Sequence, residues 1–120
     1  MKPGDKAKRL RIYISSTDKF EHTPLYEVIV FEAKKSGIAG ATVLKGTMGF
    51  GASSEIYSNK IWELTEKIPL VVEIIDEADK IDGFLETIKP FFDKAGKGHI
   101  ITVDETTISL VRAGTAGKGK

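Results

Sequence analysis

Alternation of apolar and polar residues predicts the strands of this chain. Residues 9–15 place leucine and isoleucine at every second position, the period of a strand with one buried face. Residues 41–44 are β-prone, and residues 70–75 (Leu-Val-Val-Glu-Ile-Ile) are almost continuously apolar, as in a central strand. Residues 100–103 and 108–111 flank a polar segment, which predicts one interrupted strand or a small hairpin.

Two segments have the periodicity of helices. Thr23 followed by Pro24 predicts a helix start with a side-chain cap and proline at the first helical position, and Gly37 predicts its end. A second helix is predicted to begin within residues 76–79 (Asp-Glu-Ala-Asp), where the helix dipole favours the acidic side chains. Its apolar residues at helical spacing are Ile81, Phe84, Leu85, Ile88 and Phe92. Pro90 is expected to kink or end this helix.

The predicted order β-α-β-β-α-β is that of an α+β, ferredoxin-like sandwich, with two helices on one face of an antiparallel sheet. Because apolar residues such as Tyr13, Val43 and Val72 point both ways, we expect the second face of the sheet to be apolar as well. An exposed apolar sheet face indicates self-association.

Residues 46–58 are rich in glycine and serine, too rich in turn formers for a regular element. Loops of this length inside a compact domain are uncommon unless they have a function. The conformation of residues 60–67 stays open between a short helix and a strand.

Composition indicates one soluble domain of 120 residues. The absence of cysteine excludes disulfides and cysteine-based zinc sites. No apolar stretch approaches the roughly 18 residues of a membrane span, and no signal peptide is recognisable at the N-terminus. These features favour a cytoplasmic protein.

Charge is unevenly distributed, although 18 basic and 17 acidic residues leave a net charge of +1. Residues 1–11 have a net charge of +4 and residues 112–120 of +3, so the remainder carries −6. The basic ends are either solvated tails or segments that attract phosphate or an acidic partner. We divide the chain into a basic tail (1–8), one domain (9–112) and a flexible Gly/Lys tail (113–120). The body lacks the basic stripe with aromatics that binds nucleic acid.

The sequence contains no recognisable catalytic motif, and an enzyme is not expected. No Gly-x-Ser-x-Gly nucleophile elbow occurs, and His22 and His99 lie in separate loops without metal-ligand spacing. Two glycine loops, Gly49–Gly51 and Gly96–Gly98, are either simple turns or places where backbone N–H groups approach an anion. Near them, Lys97, His99 and Arg112 supply positive charge.

Several of these segments together resemble the PII superfamily of trimeric signalling proteins, and most of all the PII-like family called domain of unknown function 190. The resemblance covers residues 9–112. The segments that carry it are Leu-Arg-Ile-Tyr-Ile (10–14), Pro-Leu-Tyr-Glu (24–27), Gly-Ile-Ala-Gly-Ala-Thr-Val (37–43), Gly-Phe-Gly-Ala-Ser-Ser (49–54) and Pro-Leu-Val-Val-Glu-Ile-Ile-Asp (69–76).

This resemblance implies a homotrimer with its sheets packed inward and an adenine nucleotide in each cleft between neighbouring subunits. Gly-Phe-Gly (49–51) then stands at the base of the mobile T-loop, and Gly-Lys-Gly-His (96–99) corresponds to the B-loop. One of two phosphate-binding arginines is kept and the other falls on Leu110. The nucleotide-binding residues so implied are Thr42, Gly49, Phe50, Gly51, Gly96, Gly98, His99 and Arg112.

Departures from the PII pattern change the expected ligand. Ala52, Ser53 and Pro69 stand where PII proteins have polar or charged ligand contacts. Each lost charge-assisted hydrogen bond costs about 1.5–3 kcal/mol. We therefore expect a less charged adenylate, a cyclic nucleotide or another small metabolite rather than MgATP, with no required cofactor.

The function that follows from the resemblance is that of a sensor. A ligand orders the glycine-serine loop, which engages or releases a regulated protein; in PII proteins that partner is an enzyme or a membrane transporter. Two alternatives are a ligand-independent trimeric adaptor and a trimer of the cation-tolerance type that binds divalent metal.

Overall fold

Most of the chain folds into strands and helices in the computed structural model, which describes residues 1–50, 56–58, 67–95 and 98–114. In chain order the elements are β1 (Lys6–Ser15), β2 (Lys19–Phe20), β3 (Thr23–Pro24), α1 (Leu25–Lys35), β4 (Gly40–Lys45), β5 (Met48–Phe50), β6 (Ile56–Ser58), β7 (Pro69–Glu77), α2 (Ala78–Ala95) and β8 (Ile100–Thr107).

The main sheet has the strand order β4-β7-β1-β8, and every neighbouring pair is antiparallel. With one helix after β1 and another after β7, this is the ferredoxin-like α+β arrangement, so the predicted fold class is confirmed. The register of strand pairing determines which residues share a face of the sheet, because directly paired residues point to the same side. Ile12 pairs with Val72 on one side of β1 and with Ile101 on the other.

The hydrophobic core lies between one face of this sheet and the two helices. Alternate residues of β1 and β7 point into it, as the period of two predicts. Its buried members are Leu10, Ile12, Ile14, Leu25, Ile29, Ala33, Leu70, Val72, Ile74, Ile81, Phe84 and Ile88. Removing this apolar surface from water is the dominant favourable term in folding.

The opposite, open face of the sheet is only partly apolar, and here the sequence-based expectation is incomplete. Its centre is ionic, since Arg9 contacts Asp104 at 2.8 Å and Arg11 contacts Glu73 at 3.1 Å. Val72 lies on the helix-covered face instead. The exposed apolar side chains on the open face belong to Tyr13, Leu44 and Ile100.

Helix α1 begins at Leu25, one residue later than predicted. Pro24 is its N-cap residue and makes no side-chain cap hydrogen bond, and Thr23 pairs with Phe20 in a short ladder instead. The N–H of Leu25 donates to the backbone oxygen of Asp18 at 2.7 Å, which replaces the missing cap. Gly37 follows the helix with φ of +76°, a conformation that favours glycine, so the predicted end is confirmed.

Helix α2 continues through Pro90 to Ala95, so the predicted break at this proline is wrong. Proline removes only one backbone donor, while partly buried Phe91 and Phe92 beyond it pack against the core and hold the last turns in place. Helix α2 is 18 residues long and amphipathic. Among the described residues no helix is long and apolar enough to cross a membrane.

The last strand, β8, runs without interruption through the polar residues 104–107, contrary to the predicted break or hairpin. Its partner β1 begins at Lys6, three residues before the predicted start, so the ladder continues from Tyr13 to Lys6. Residues 108–111 form no strand; Ile108 instead exchanges backbone hydrogen bonds with Gly4 and Asp5. The division into residues 1–8, 9–112 and 113–120 stays a prediction.

Part of the glycine-serine stretch is regular, which corrects the prediction of a loop without elements. Met48–Phe50 and Ile56–Ser58 pair as an antiparallel hairpin, with Gly49 opposite Tyr57. The backbone N–H and C=O groups of two antiparallel segments hydrogen-bond to one another in this way even where turn-forming residues are frequent. Residues 51–55 and 59–66 lie outside the described residues, so the open question over residues 60–67 stays open.

Core packing against α2 generates a stability prediction. Ile88 is fully buried, and truncating it to alanine (Ile88→Ala) removes several buried carbons and leaves a cavity. We expect a loss of about 2–5 kcal/mol in the free energy of unfolding. The neighbouring Lys89→Ala, on the exposed side of the same helix, serves as the control, with an expected change within about 0.5 kcal/mol. Urea unfolding followed by circular dichroism measures both, and equal effects would contradict this core assignment.

The ion pair on the open face generates a pH prediction. The Arg9 guanidinium, through its hydrogen bond, holds the pKa of the Asp104 carboxyl below its ordinary value. A lowered pKa adds stability above the unfolded value of about 3.9, and this contribution is lost as the pH falls through the folded pKa. We expect Asp104→Asn to be less stable than the wild type at pH 7, and the difference to shrink toward pH 3. Urea midpoints at several pH values measure this, and a difference independent of pH would contradict it.

Candidate functional site

A groove of about 230 Å³ opens where the end of β1, the start of β7 and the β5–β6 hairpin meet. Strands β1 and β7 supply Tyr13, Ile14 and residues 69–71, and the hairpin region supplies Gly46 and residues 48–50. Gly98, which precedes β8, completes the described lining. Four segments distant in sequence therefore converge on one concave surface, the usual form of a small-molecule site.

Gly46 allows the hairpin to approach β7 closely. Its N–H donates to the backbone oxygen of Pro69 at 2.7 Å. A Cβ atom at this position would stand 3.0 Å from Pro69 Cγ and 3.4 Å from Pro69 O, which is too close for an ordinary contact. At Gly49 the same atom would lie 3.8 Å from Pro69 Cβ, an ordinary van der Waals distance. The shape of the groove thus depends on glycine at position 46.

The described lining is apolar and aromatic. None of its residues carries a charged side chain, and the Phe50 side chain is 75% exposed at the rim. Aromatic rings such as Tyr13 and Phe50 offer flat surfaces on which a planar group can stack. Gly49 and Gly98 add backbone groups without side-chain bulk. This chemistry suits a planar, weakly charged ligand.

Three of the residues implicated by sequence lie together in this groove, namely Gly49, Phe50 and Gly98. Thr42 does not line it; that residue lies on β4, where it pairs with Glu73 and faces the open side of the sheet. Gly51 and Gly96, the other glycines of the two loops, lie outside the described residues.

His99 and Arg112 are also placed away from the described lining. The imidazole of His99 is buried against Phe92, with 4.8 Å between ring centroids, and its Nε2 lies 3.6 Å from Asp18 Oδ2. Arg112 is exposed in the segment after β8. His22 is exposed in the β2–β3 turn, and no group of three potential metal ligands occurs among the described residues.

Sequence reasoning missed the walls of the groove, which Tyr13, Gly46, Met48 and residues 69–71 form. The sequence places Tyr13 only on a sheet face, and the resemblance places Pro69 only where PII proteins have a polar or charged ligand contact. The repeated glycines at 46 and 49 are the one signal available, because glycine allows close backbone approach. Which strand end stands beside the hairpin depends on long-range pairing, which a single sequence does not display.

Comparison with known proteins decides the family. The family described as "Uncharacterized ACR, COG1993", DUF190, matches residues 7–108. The chain belongs to the DUF190 family. A UPF0166 protein from Aquifex aeolicus is 45% identical to this DUF190 chain over 84 residues, which cover 70% of the chain and 80% of the relative. The predicted family is thereby confirmed.

Solved structures confirm the PII-like fold of this DUF190 protein. CPII, a nitrogen regulatory PII-like protein from Thiomonas intermedia bound to ADP, AMP and bicarbonate, has a TM-score of 0.65 at 17% identity, covering 88% of this chain and 90% of CPII. A PII-like signalling protein from Thermus thermophilus has a TM-score of 0.62 at 18% identity, covering 88% of this chain and 92% of that protein.

An enzyme also shares this fold. A phage SAM lyase in complex with S-methyl-5'-thioadenosine has a TM-score of 0.52 at 14% identity, covering 90% of this chain and 88% of the lyase. Likeness in fold alone therefore does not separate regulatory proteins from enzymes. The site of the DUF190 chain has to be interpreted from its own residues.

The contact between Gly46 and Pro69 generates a prediction with a matched control. Gly46→Ala places a methyl group against a proline ring and its carbonyl, so we expect a loss of about 1–3 kcal/mol from overpacking. Gly49→Ala meets only ordinary contacts, and we expect a change within about 0.5 kcal/mol. Thermal and urea unfolding of the two variants measure the difference. A Gly46→Ala variant as stable as Gly49→Ala would contradict the close approach of the hairpin to β7.

Proposed function

We propose that this DUF190 protein is a PII-like regulatory protein whose groove binds an adenine nucleotide of low charge, AMP or ADP. The observation that carries the proposal is the convergence of Gly49, Phe50 and Gly98 on one apolar groove beside Tyr13. A purine base stacks on exposed aromatic rings, and the glycine N–H groups face its polar substituents. The ADP and AMP bound by CPII support this ligand class.

The low charge of the ligand follows from the lining. A triphosphate needs several cationic partners, and the described lining contains none. Burying unpaired phosphate charge is costly, whereas a monophosphate keeps most of its charge at the open rim in water. We therefore rank AMP and ADP above ATP as ligands.

A homotrimer is part of the proposal. The open face of the sheet combines exposed Tyr13, Leu44 and Ile100 with the ionic centre around Arg9 and Arg11. Further copies of the chain packed on this face remove its apolar side chains from water. Thr42 lies on the same face and Arg112 is exposed, so in the proposed trimer both are available to a ligand shared between neighbouring subunits.

Regulation runs through the hairpin in this proposal. Met48 and Phe50 form one wall of the groove, and both belong to β5 at the base of the glycine-serine loop. A ligand held against β5 restricts this segment, and the change in order is passed to a partner protein. The partner stays unnamed. A ligand-independent adaptor and a cation-binding trimer are the outcomes that would replace this function.

Thermal unfolding and calorimetry with AMP, ADP, ATP, cyclic AMP and divalent cations test the proposal. AMP or ADP at 100 times its Kd should stabilise each site by about 2.7 kcal/mol. Phe50→Ala should weaken AMP binding by about 1–3 kcal/mol through lost stacking. Phe31→Ala is the control, because this residue is equally aromatic and 63% exposed on α1 but does not line the groove.

Light scattering in the same series measures the assembly, with three copies of the 13.1 kDa chain expected. A trimer that responds to none of the nucleotides or cations would replace the sensor by an adaptor. A response to cations alone would favour the cation-tolerance type. Equal loss of affinity in Phe50→Ala and Phe31→Ala would remove the groove as the binding site.

A further inference from the structure

A polar turn of four residues, Ser15–Asp18, lies at the end of β1, and the residues at its two ends are buried. Ser15 and Asp18 are only 2% and 5% exposed. The Ser15 N–H donates to Asp18 Oδ2 at 3.0 Å, and the hydroxyls of Ser15 and Thr17 lie 2.9 Å apart. Buried polar groups that are hydrogen-bonded in this way make a local structure specific and rigid.

This turn holds one wall of the groove by a pair of hydrogen bonds. The Ser16 N–H donates to Ile68 O at 2.9 Å, and the Ile68 N–H donates to Ser16 Oγ at 3.0 Å. Ile68 directly precedes Pro69, a lining residue. The position of Pro69 is therefore tied to the turn.

Gly98 forms a second wall of the groove, and the side chain of the next residue, His99, lies beside the turn. The His99 ring packs edge-on against Phe92 of α2 at an interplanar angle of 71°. Its Nε2 lies 3.6 Å from Asp18 Oδ2, and both side chains are 7% exposed. Nε2 makes no hydrogen bond among the described residues, so the carboxylate is the polar group it faces.

We propose that His99 is a positioning residue, which holds Gly98 in the wall of the groove by its contacts with Asp18 and Phe92. It acts through Gly98 and does not touch the ligand, in contrast to the nucleotide-binding role implied by resemblance. The backbone dihedral angles of glycine are unusually free, so contacts made by the adjacent residue, His99, fix the position of Gly98. The turn then positions both walls of the groove. It positions Pro69 through its hydrogen bonds to Ile68, and Gly98 through the contact between Asp18 and His99. The effect on ligand affinity rests on the proposed function.

The test compares two substitutions at one position. His99→Leu keeps an apolar contact with Phe92 but removes the polar group, whereas His99→Gln retains a polar side chain with an N–H donor. We expect His99→Leu to shift the Gly98 amide resonance in a ¹H–¹⁵N spectrum and to lower AMP affinity roughly tenfold or more, as lost supporting contacts do. We expect His99→Gln to restore both. His22→Leu, at the exposed histidine, is the control and should change neither.

Each outcome decides the proposal. An unchanged Gly98 resonance in His99→Leu would overturn it, and so would a loss in His99→Gln equal to that in His99→Leu. If the wild type binds neither AMP nor ADP, the proposed function fails, while the Gly98 resonance in the free protein still decides the positioning role. If His99→Leu does not fold, Asp18→Asn takes its place, since it keeps the shape of the turn but removes the charge that faces the imidazole. The same Gly98 shift is then expected, and its absence would overturn the proposal.

Discussion

Strand β1 is paired on both sides, with β7 from Ala7 to Ser15 and with β8 from Lys6 to Tyr13. This double pairing is the constraint on which the rest of the structure depends. It sends Leu10, Ile12 and Ile14 toward the helices and Arg9, Arg11 and Tyr13 to the open face. Because side chains alternate with a period of two, one register decides both the core and the ionic face. The end of the strand also provides Tyr13 and Ile14 to the groove.

The groove depends on β1 in a second way, through the turn that follows it. Ser16 hydrogen-bonds Ile68 on both its N–H and its hydroxyl, and this places Pro69 opposite Gly46. The close approach at Gly46 then sets how far the hairpin stands from β7. A chain of backbone contacts rather than a charged cluster gives the described part of the site its shape. That explains why a search for catalytic or metal-binding motifs finds little here.

Local patterns predicted much of the fold, because helices and strands follow from residue periodicity. The alternation in β1, the apolar run in β7 and Gly37 after α1 each predict the observed structure. Wrong predictions occurred where distant contacts outweigh local preference. Tertiary packing of Phe91 and Phe92 carries α2 past Pro90, and the ladder with β1 carries β8 through residues 104–107. Only part of the site was predicted. Its glycines can be recognised from the local sequence, but the residues that line the groove beside them belong to distant segments of the chain.

The register of β1 also bears on how chains of this family can differ in length. Deleting or adding one residue within β1 would exchange the two faces, placing Arg9 and Arg11 among the core isoleucines and Ile12 among the carboxylates of Glu73 and Asp104. Strand β7 cannot slip to compensate, because it is itself held by β4 on its other side. Strands β5 and β6 pair only with each other in the described part of the chain and lie outside the main sheet. A change in chain length within β1 is therefore expected to disrupt the fold, whereas one beside β5 or β6 alters the groove and leaves the main sheet paired.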